Sequence, residues 1–317
     1  MAATARVGGS GPSLIADIGG TNVRFALVEG AGDPAHIRKS KVADFPRFSE
    51  ALGAYLSAVP DRPSAAMIAV AGPVSGGAAT LTNADWTITA ADVNAHLPGV
   101  PVRLMNDFEA VALALPHLAP SEWQTLGPHP SDAPSLNAPL PKLALGAGTG
   151  LGTCLLVPIP GGGWLTVPAE GGHRTLDPSL LAALPAPGAG PPPTALEHVV
   201  SGRGLLWLAQ GFGHRAASPE EVVKTARAGE RAAQQAIGLF FDVYAEAAQA
   251  IALTTGATGG VFLAGGITPS LLDLFDQDRF AHRFRHVPTL PGYLTKTPLV
   301  VVTAPDPAFI GLANARI

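Results

Sequence analysis

Residues 14–25 read LIADIGGTNVRF: an apolar run, then Asp17, two glycines, Thr21 and Asn22, then Val23, Arg24 and Phe25. The apolar stretches either side of Gly19 and Gly20 predict two strands, 14–18 and 22–29, joined by a tight turn. A bare hairpin needs the glycines but has no use for an acid at the strand end. Successive backbone N–H groups in a turn form a concave anion site, and glycine lets the chain approach a phosphate closely. The fold therefore depends on whether other glycine turns, and another acid, exist to meet this one.

Two more such turns follow apolar runs: GAGTGLG (146–152) and AGGI (264–267). Singly, each reads as a tight turn; together they favour a nucleotide cleft. The P-loop pattern G-x-x-x-x-G-K-[ST] is absent, and GAGTGLG fits G-x-G-x-x-G in no register. GFGHRA (211–216) meets the relaxed form G-x-G-x-x-A, but no β-type run precedes it, so it is noise.

Around the turns the chain alternates strand and helix signals. A third strand is expected within 36–43, and a helix opens near Pro46, with Phe48, Leu52, Tyr55, Leu56 and Val59 at helical spacing. A buried strand (65–72), a strand or hairpin (80–89) and a short helix with a Thr89/Asp92 capping box come next. Strand 102–107 runs directly into an apolar helix. The pattern then restarts: strand, glycine turn and strand over 143–157, and a proline-rich surface loop at 185–193. A long helical region runs from Ser218 to about Thr255, broken near Gly229. Strand 259–267 leads to a helix starting at Pro269, and a last strand and helix close the chain. Strand–glycine turn–strand thus occurs twice, implying two α/β halves of related topology with a cleft between them.

The chain of 317 residues suits two domains. Its 20 Lys+Arg against 24 Asp+Glu give a net charge of −4, which excludes the basic footprint of a nucleic-acid or polybasic membrane binder. One cysteine, Cys154, allows no intrachain disulfide and no cysteine zinc cluster, and fits a reducing compartment. MAATARVGGSGPS (1–13) lacks an apolar signal core and reads as a frayed tail. Residues 143–169 carry no charge, but VPIPGGGW (157–164) breaks that run into two strands, so a soluble protein is expected.

Several polar residues sit where chemistry could use them. Asp107, in MND (105–107), lies between a strand and a helix. There a carboxylate can accept the proton of a substrate hydroxyl, as phosphoryl transfer to an alcohol requires, or can simply cap the helix. Both readings stand at this point. PAEGGHRT (168–175) offers Glu170 and His173, with two glycines that let both side chains point one way. ALEHVVSGRG (195–204) offers Glu197 before another glycine turn. Such carboxylate and imidazole groups suit hydroxyl-rich ligands, because each makes directed hydrogen bonds. The His282/His286 spacing could hold a metal but reads as part of a solvated helix.

LIADIGGTNVRFALVE (14–29), GPVSGGAATLTNADW (72–86), MNDFEAVALAL (105–115), LGAGTGLGTCLL (145–156), PAEGGHRTL (168–176), EHVVSGRGL (197–205) and GVFLAGGI (260–267) occur in this order. Together, from about residue 14 to residue 313, they resemble the bacterial ATP-dependent glucokinases of the actin-like sugar kinase superfamily. The resemblance implies an α/β, actin-like (ribonuclease H-like) fold, with two α/β domains flanking a nucleotide/sugar cleft. Residues 1–107 plus 300–317 would form the small domain, with the first phosphate loop. Residues 108–299 would form the large one, with the second phosphate loop, the sugar loops and the adenine side.

By position in those motifs, Asn106, Asp107, Glu170, His173 and Glu197 would bind glucose, with Asp107 the catalytic base. Asp17, Gly19, Gly20 and Thr21 would form the first phosphate loop, Asp17 next to Mg²⁺. Gly148, Thr149 and Gly150 would form the second, and Gly265 and Gly266 would lie on the adenine side. ATP and Mg²⁺ are the implied cofactor set, in a cytoplasmic homodimer with no nucleic-acid or membrane partner. A single cysteine separates the chain from the repressor-type branch, which carries a cysteine-rich zinc motif. The alternatives are a non-catalytic sugar sensor on the same scaffold, a kinase for another hexose, or an actin-like structural or chaperone ATPase.

Overall fold

The computed structural model describes residues 11–30, 32–81, 85–185 and 191–316. The expected tail over 1–13, the hairpin at 80–89 and the proline-rich loop at 185–193 therefore lie partly outside the described residues. The chain divides into two compact units, one running to Leu118 and resuming at Pro305, the other spanning Ala119–Ala304.

The first unit opens with β1 (Ser13–Ile18), β2 (Asn22–Val28) and β3 (Ala35–Lys41), then α1 (Phe48–Leu56) and the fully buried β4 (Ala65–Val70). Three short strands, β5 (Val74–Ser75), β6 (Ala78–Thr80) and β7 (Thr87–Thr89), form a small antiparallel sheet. Gly76 and Gly77, both at positive φ (60° and 78°), turn β5 back onto β6, a geometry that glycine adopts without strain. Next come α2 (Ala90–Asn94), β8 (Val102–Asn106) and α3 (Asp107–Ala114). The expected capping box is present: the Asp92 N–H donates to the Thr89 hydroxyl, and the Thr89 N–H donates to the Asp92 carboxylate at 2.8 Å.

The second unit contains β9 (Trp123–Thr125), β10 (Lys142–Ala147), β11 (Leu151–Pro158) and β12 (Trp164–Ala169). The uncharged stretch 143–169 is thus three strands, the expected Gly/Pro turn lying between β11 and β12. After α4 (Pro178–Ala183) comes α5 (Gly202–Gly211), where the sequence reading had only a glycine turn. Ser201 caps this helix by accepting from the Gly204 N–H. A Cβ at Gly204 would fall 2.0 Å from the Val199 carbonyl oxygen, so the glycine serves a tight helix entry.

The long helical region is α6 (Pro219–Arg227) and α7 (Arg231–Thr255), broken at Gly229 with φ +91°. Among the described residues α7 is the one helix long and apolar enough to cross a membrane, yet much of it is buried in this unit. β13 (Val261–Ala264) leads into α8 (Ile267–Ser270), which starts before Pro269 rather than at it. α9 (Gln277–Arg285) and β14 (Leu299–Val302) follow, and α10 (Pro307–Asn314) belongs to the first unit.

The two main sheets repeat one topology. Strand order is β3-β2-β1-β4-β8 in the first unit and β12-β11-β10-β13-β14 in the second, with β9 added at the edge. In each, an antiparallel meander is extended by two parallel strands. Separate cores hold them: Phe25 stacks on Tyr55 (5.0 Å) in one, Phe241 on Phe275 (3.6 Å) in the other. Full burial of such side chains contributes about 1.5–3 kcal/mol each.

The expected domain boundaries at 107 and 300 both move C-terminally, and packing explains why. α3 lies against α10, where a Cβ at Gly311 would sit 1.7 Å from the Ala110 carbonyl oxygen; α3 therefore stays with the first unit. β14 pairs with β13 and β9, and the Thr303 and Ala304 N–H groups donate to the Glu122 carbonyl, so this stretch belongs to the second.

Candidate active site

In the first unit the β1–β2 turn is closed by the Gly19 N–H donating to the Asn22 carbonyl at 2.9 Å. Asp17 pairs across the hairpin with Arg24, whose guanidinium lies 3.9 Å from the Asp17 carboxylate and forms an ion pair with Asp306. Burial pushes the Asp17 carboxyl above the ordinary aspartate range, and Arg24 partly opposes this. Neither Arg24 nor Asp306 is assigned a role by the sequence reading. Their partnership exists because α10 returns to pack on the first sheet.

At the β8–α3 junction both Asn106 and Asp107 engage the first turn of the helix. The N-cap is Asn106, whose Oδ1 accepts from the Phe108 N–H at 2.8 Å while its Nδ2 donates to the Gly72 carbonyl at 3.1 Å. Such a cap contributes about 1 kcal/mol. Asp107 is the first helical residue, one of its oxygens also accepting from Phe108 N–H (2.9 Å). Asn106, expected to touch sugar, has both polar atoms engaged with backbone and so anchors its neighbour.

In the second unit three of the expected sugar residues converge. His173 Nδ1 lies 3.7 Å from a Glu197 oxygen, and its Nε2 lies 3.8 Å from a Glu170 oxygen. These distances exceed a hydrogen bond, so the three side chains face one another without closing on themselves. Glu170 and His173 are about two-thirds exposed, whereas Glu197 is 18% exposed.

The glycines of EGGH, between two side chains that do face one another, also serve packing. A Cβ at Gly171 would lie 2.9 Å from Thr153 Cγ2, and one at Gly172 would lie 2.4 Å from the Leu151 carbonyl oxygen. They let the turn lie flat on β11. Thr153, which the sequence reading missed, fixes it: its hydroxyl donates to the Ala169 carbonyl (2.5 Å) and accepts from the Gly171 N–H (3.0 Å). Those two peptides flank Glu170.

The second glycine turn joins the same cluster. The Gly148 N–H donates to the Gly150 carbonyl, and the Gly202 N–H, at the start of α5, donates to the Gly148 carbonyl, both at 2.9 Å. A Cβ at Gly150 would meet Glu197 Oε2 at 2.6 Å, so the missing side chain makes room for that carboxylate. Gly265, at φ +80°, lies so close that its Cβ would reach 2.6 Å from the Ala147 carbonyl oxygen. Turn 148–150, turn 265–266 and Glu197 are therefore neighbours within one unit.

Among the described residues no group of three or more His, Cys, Asp or Glu side chains is assembled for a metal. Mg²⁺ in phosphate chemistry commonly takes one or two carboxylates and completes its shell with phosphate oxygens and water. A lone Asp17 beside a glycine turn fits that donor set.

Paired sheets of this topology, each bearing a glycine hairpin, define an actin-like α/β fold. The glucokinase family model matches residues 14–316, and the chain belongs to that family. It is 35% identical over 313 residues to a glucokinase of Nitrobacter hamburgensis, covering 95% of this chain and 96% of the relative. It is 36% identical over 318 residues to one of Chromohalobacter salexigens, covering 96% and 97%. A bifunctional protein of Burkholderia lata is 34% identical over 98% of this chain but only 49% of its own length. Among solved structures, a glucokinase from an Antarctic psychrotroph superposes with a TM-score of 0.81 at 28% identity, over 96% of this chain and 98% of that one. The fold also matches a Streptomyces griseus ROK family glucokinase solved with glucose and AMPPNP (TM-score 0.67, 19% identity, 96% and 99% covered).

Proposed function

We propose that this glucokinase-family chain transfers the terminal phosphoryl group of ATP to the 6-hydroxyl of D-glucose, with Asp107 as general base. The observation that carries the reading is the convergence of Glu170 and Glu197 on His173, an open arrangement of directed hydrogen-bonding groups suited to sugar hydroxyls. The Asp107 carboxylate takes the proton of the 6-hydroxyl as that oxygen bonds to the terminal phosphorus; the bond from phosphorus to the bridging oxygen breaks and ADP leaves. In the turns closed by the Gly19 and Gly148 N–H groups, the backbone N–H groups of Gly20 and Thr21 and of Thr149 and Gly150 cradle the phosphates, and Gly265 and Gly266 line the adenine side. Asp17 would hold Mg²⁺, which when bound would supply charge neutralisation at the phosphates.

Asn106 is the N-cap of α3, and Asp107, whose Oδ1 also accepts from the Phe108 N–H, is the carboxylate that takes this proton. Asp107→Ala should lower kcat by about 10²–10⁴-fold, while melting stays near wild type because the cap is intact. A coupled assay on a panel of hexoses, with melting on the same sample, checks both. Retained kcat would remove Asp107 as base, and turnover of another hexose in preference to glucose would reassign the substrate. The same reading makes the enzyme a cytoplasmic homodimer that engages neither nucleic acid nor membrane, consistent with its net charge of −4.

A further inference from the structure

One aromatic side chain in the core of the second unit carries a polar group that packing alone does not call for. Around Tyr244 of α7 the rings of Phe240 and Phe280 stand edge-on, with centroids 6.1 Å and 6.0 Å away, and Phe241 lies in the same cluster. Those neighbours are phenylalanines, whereas the fully buried Tyr244 brings a hydroxyl into the apolar interior. A buried hydroxyl is costly unless it is hydrogen-bonded, so the bond it makes is the reason to look for a use.

That bond goes to the second phosphate turn's own strand. The phenol donates to the Leu145 carbonyl at 3.1 Å, across 99 positions of sequence. Leu145 lies in β10, three residues before Gly148, and its register partner in β13 is Leu263, two residues before Gly265. Burial pushes the Tyr244 phenol well above the ordinary tyrosine range, against the smaller pull of the Thr268 hydroxyl and the Ala147 N–H beside its oxygen. The phenol therefore remains a donor near neutral pH. Thr268, in α8 and two residues after Gly266, is fully buried too. Its hydroxyl is close enough to act on the phenol but makes no hydrogen bond of ordinary geometry among the described residues. Ala147 is also the residue whose carbonyl oxygen a Cβ at Gly265 would crowd. One phenol oxygen thus reaches the end of β10 that leads into turn 148–150 and the helix that leads out of turn 265–266.

We infer that Tyr244 is a positioning residue for nucleotide binding: its hydroxyl, acting with that of Thr268, sets the spacing of the 148–150 and 265–266 turns. This role rests on those turns being the nucleotide side of the proposed kinase. Backbone N–H groups hold a phosphate through several directed bonds at once, so a small change in spacing lowers nucleotide affinity. Glu170 is held separately, through the Thr153 hydroxyl on β11.

Tyr244→Phe removes the hydroxyl and keeps the ring. AMPPNP is titrated calorimetrically, with Mg²⁺ and without sugar, into the full wild-type chain and each variant, and ATP and glucose kinetics are measured in parallel. Tyr244→Phe should weaken AMPPNP about fivefold and raise ATP KM by the same factor, with glucose KM and kcat within about twofold of wild type. Thr268→Val, which exchanges the hydroxyl for a methyl group of similar size, should weaken AMPPNP less, and Thr268→Ser should bind as wild type. The double variant Tyr244→Phe/Thr268→Val should match Tyr244→Phe alone, as expected of two groups acting through one contact. Unchanged AMPPNP affinity in Tyr244→Phe, ATP and glucose KM rising by equal factors, or additive losses in the double variant would overturn the proposal. A wild-type chain that binds AMPPNP but does not phosphorylate glucose would count against the kinase reading and not against this role; one that binds no AMPPNP would overturn both.

Discussion

At the first glycine hairpin the last two strand pairs before the turn are Asp17 with Arg24 and Ile18 with Val23; at the second they are Gly146 with Gly152 and Ala147 with Leu151. The sheet positions correspond, but one hairpin places a charged pair beside its turn where the other places two glycines. The charged hairpin carries a carboxylate whose burial is unfavourable to folding. The uncharged one brings only backbone to its turn, and the space left at Gly150 is occupied by Glu197 from elsewhere in the chain. Equivalent architecture thus supports two different tasks: an acid fixed by its own strand, and a mould that accepts an acid delivered by another segment.

The largest expected effect breaks the charged hairpin. Asp17→Asn should lower kcat by about 10²–10³-fold, through lost charge stabilisation at the phosphates. Stability should move the other way. With the folded-state pKa raised, stability falls as pH climbs from the unfolded-chain aspartate value through the folded value, and above both the full cost is present. The variant should therefore melt no lower than wild type at pH 7, and the difference should vanish below the ordinary aspartate range. Parallel kinetics and melting across pH check this. A variant that is less stable at pH 7 would mean that Asp17 contributes to the fold through Arg24.

A smaller change tests the mould. Gly150→Ala puts a methyl group where Glu197 Oε2 now lies, and since that oxygen is the end of a flexible side chain, the carboxylate should yield rather than the backbone. Glucose KM should rise about tenfold, as for one lost hydrogen bond to a charged group, with melting nearly unchanged. Steady-state kinetics with unaltered KM would place the sugar away from Glu197.

The smallest effect falls on Thr153, next to the same hairpin. Thr153→Val removes the hydroxyl that bridges the peptides on either side of Glu170, and should raise glucose KM about threefold to fivefold with kcat retained. Thr153→Ser should restore KM. If serine fails to restore it, the methyl packing and not the hydroxyl positions the loop.

Much of the fold was legible because its signals are local. Apolar runs interrupted by glycine marked β1–β2 and β10–β11, and the capping box at Thr89 and the break at Gly229 rest on residues close in sequence. The start of α5 reads as a turn in the sequence because two glycines within one helical turn look like loop chemistry. Only contact with the Val199 carbonyl explains Gly204. Asp107 stayed ambiguous because adjacent asparagine and aspartate both suit a cap, and backbone geometry had to choose between them.

Residue type and order determined, without coordinates, two α/β halves, three glycine turns, the acids near them and the family resemblance. All of these depend on local backbone preference or on motif spacing. Tertiary structure alone decided which side chains meet: Arg24 with Asp306, 282 positions apart; Glu197 in the space beside Gly150; and the arginines of α9 held by a buried Asp242. Such partners are fixed by sheet register and helix packing, which bring together segments that carry no mark of one another in the linear chain.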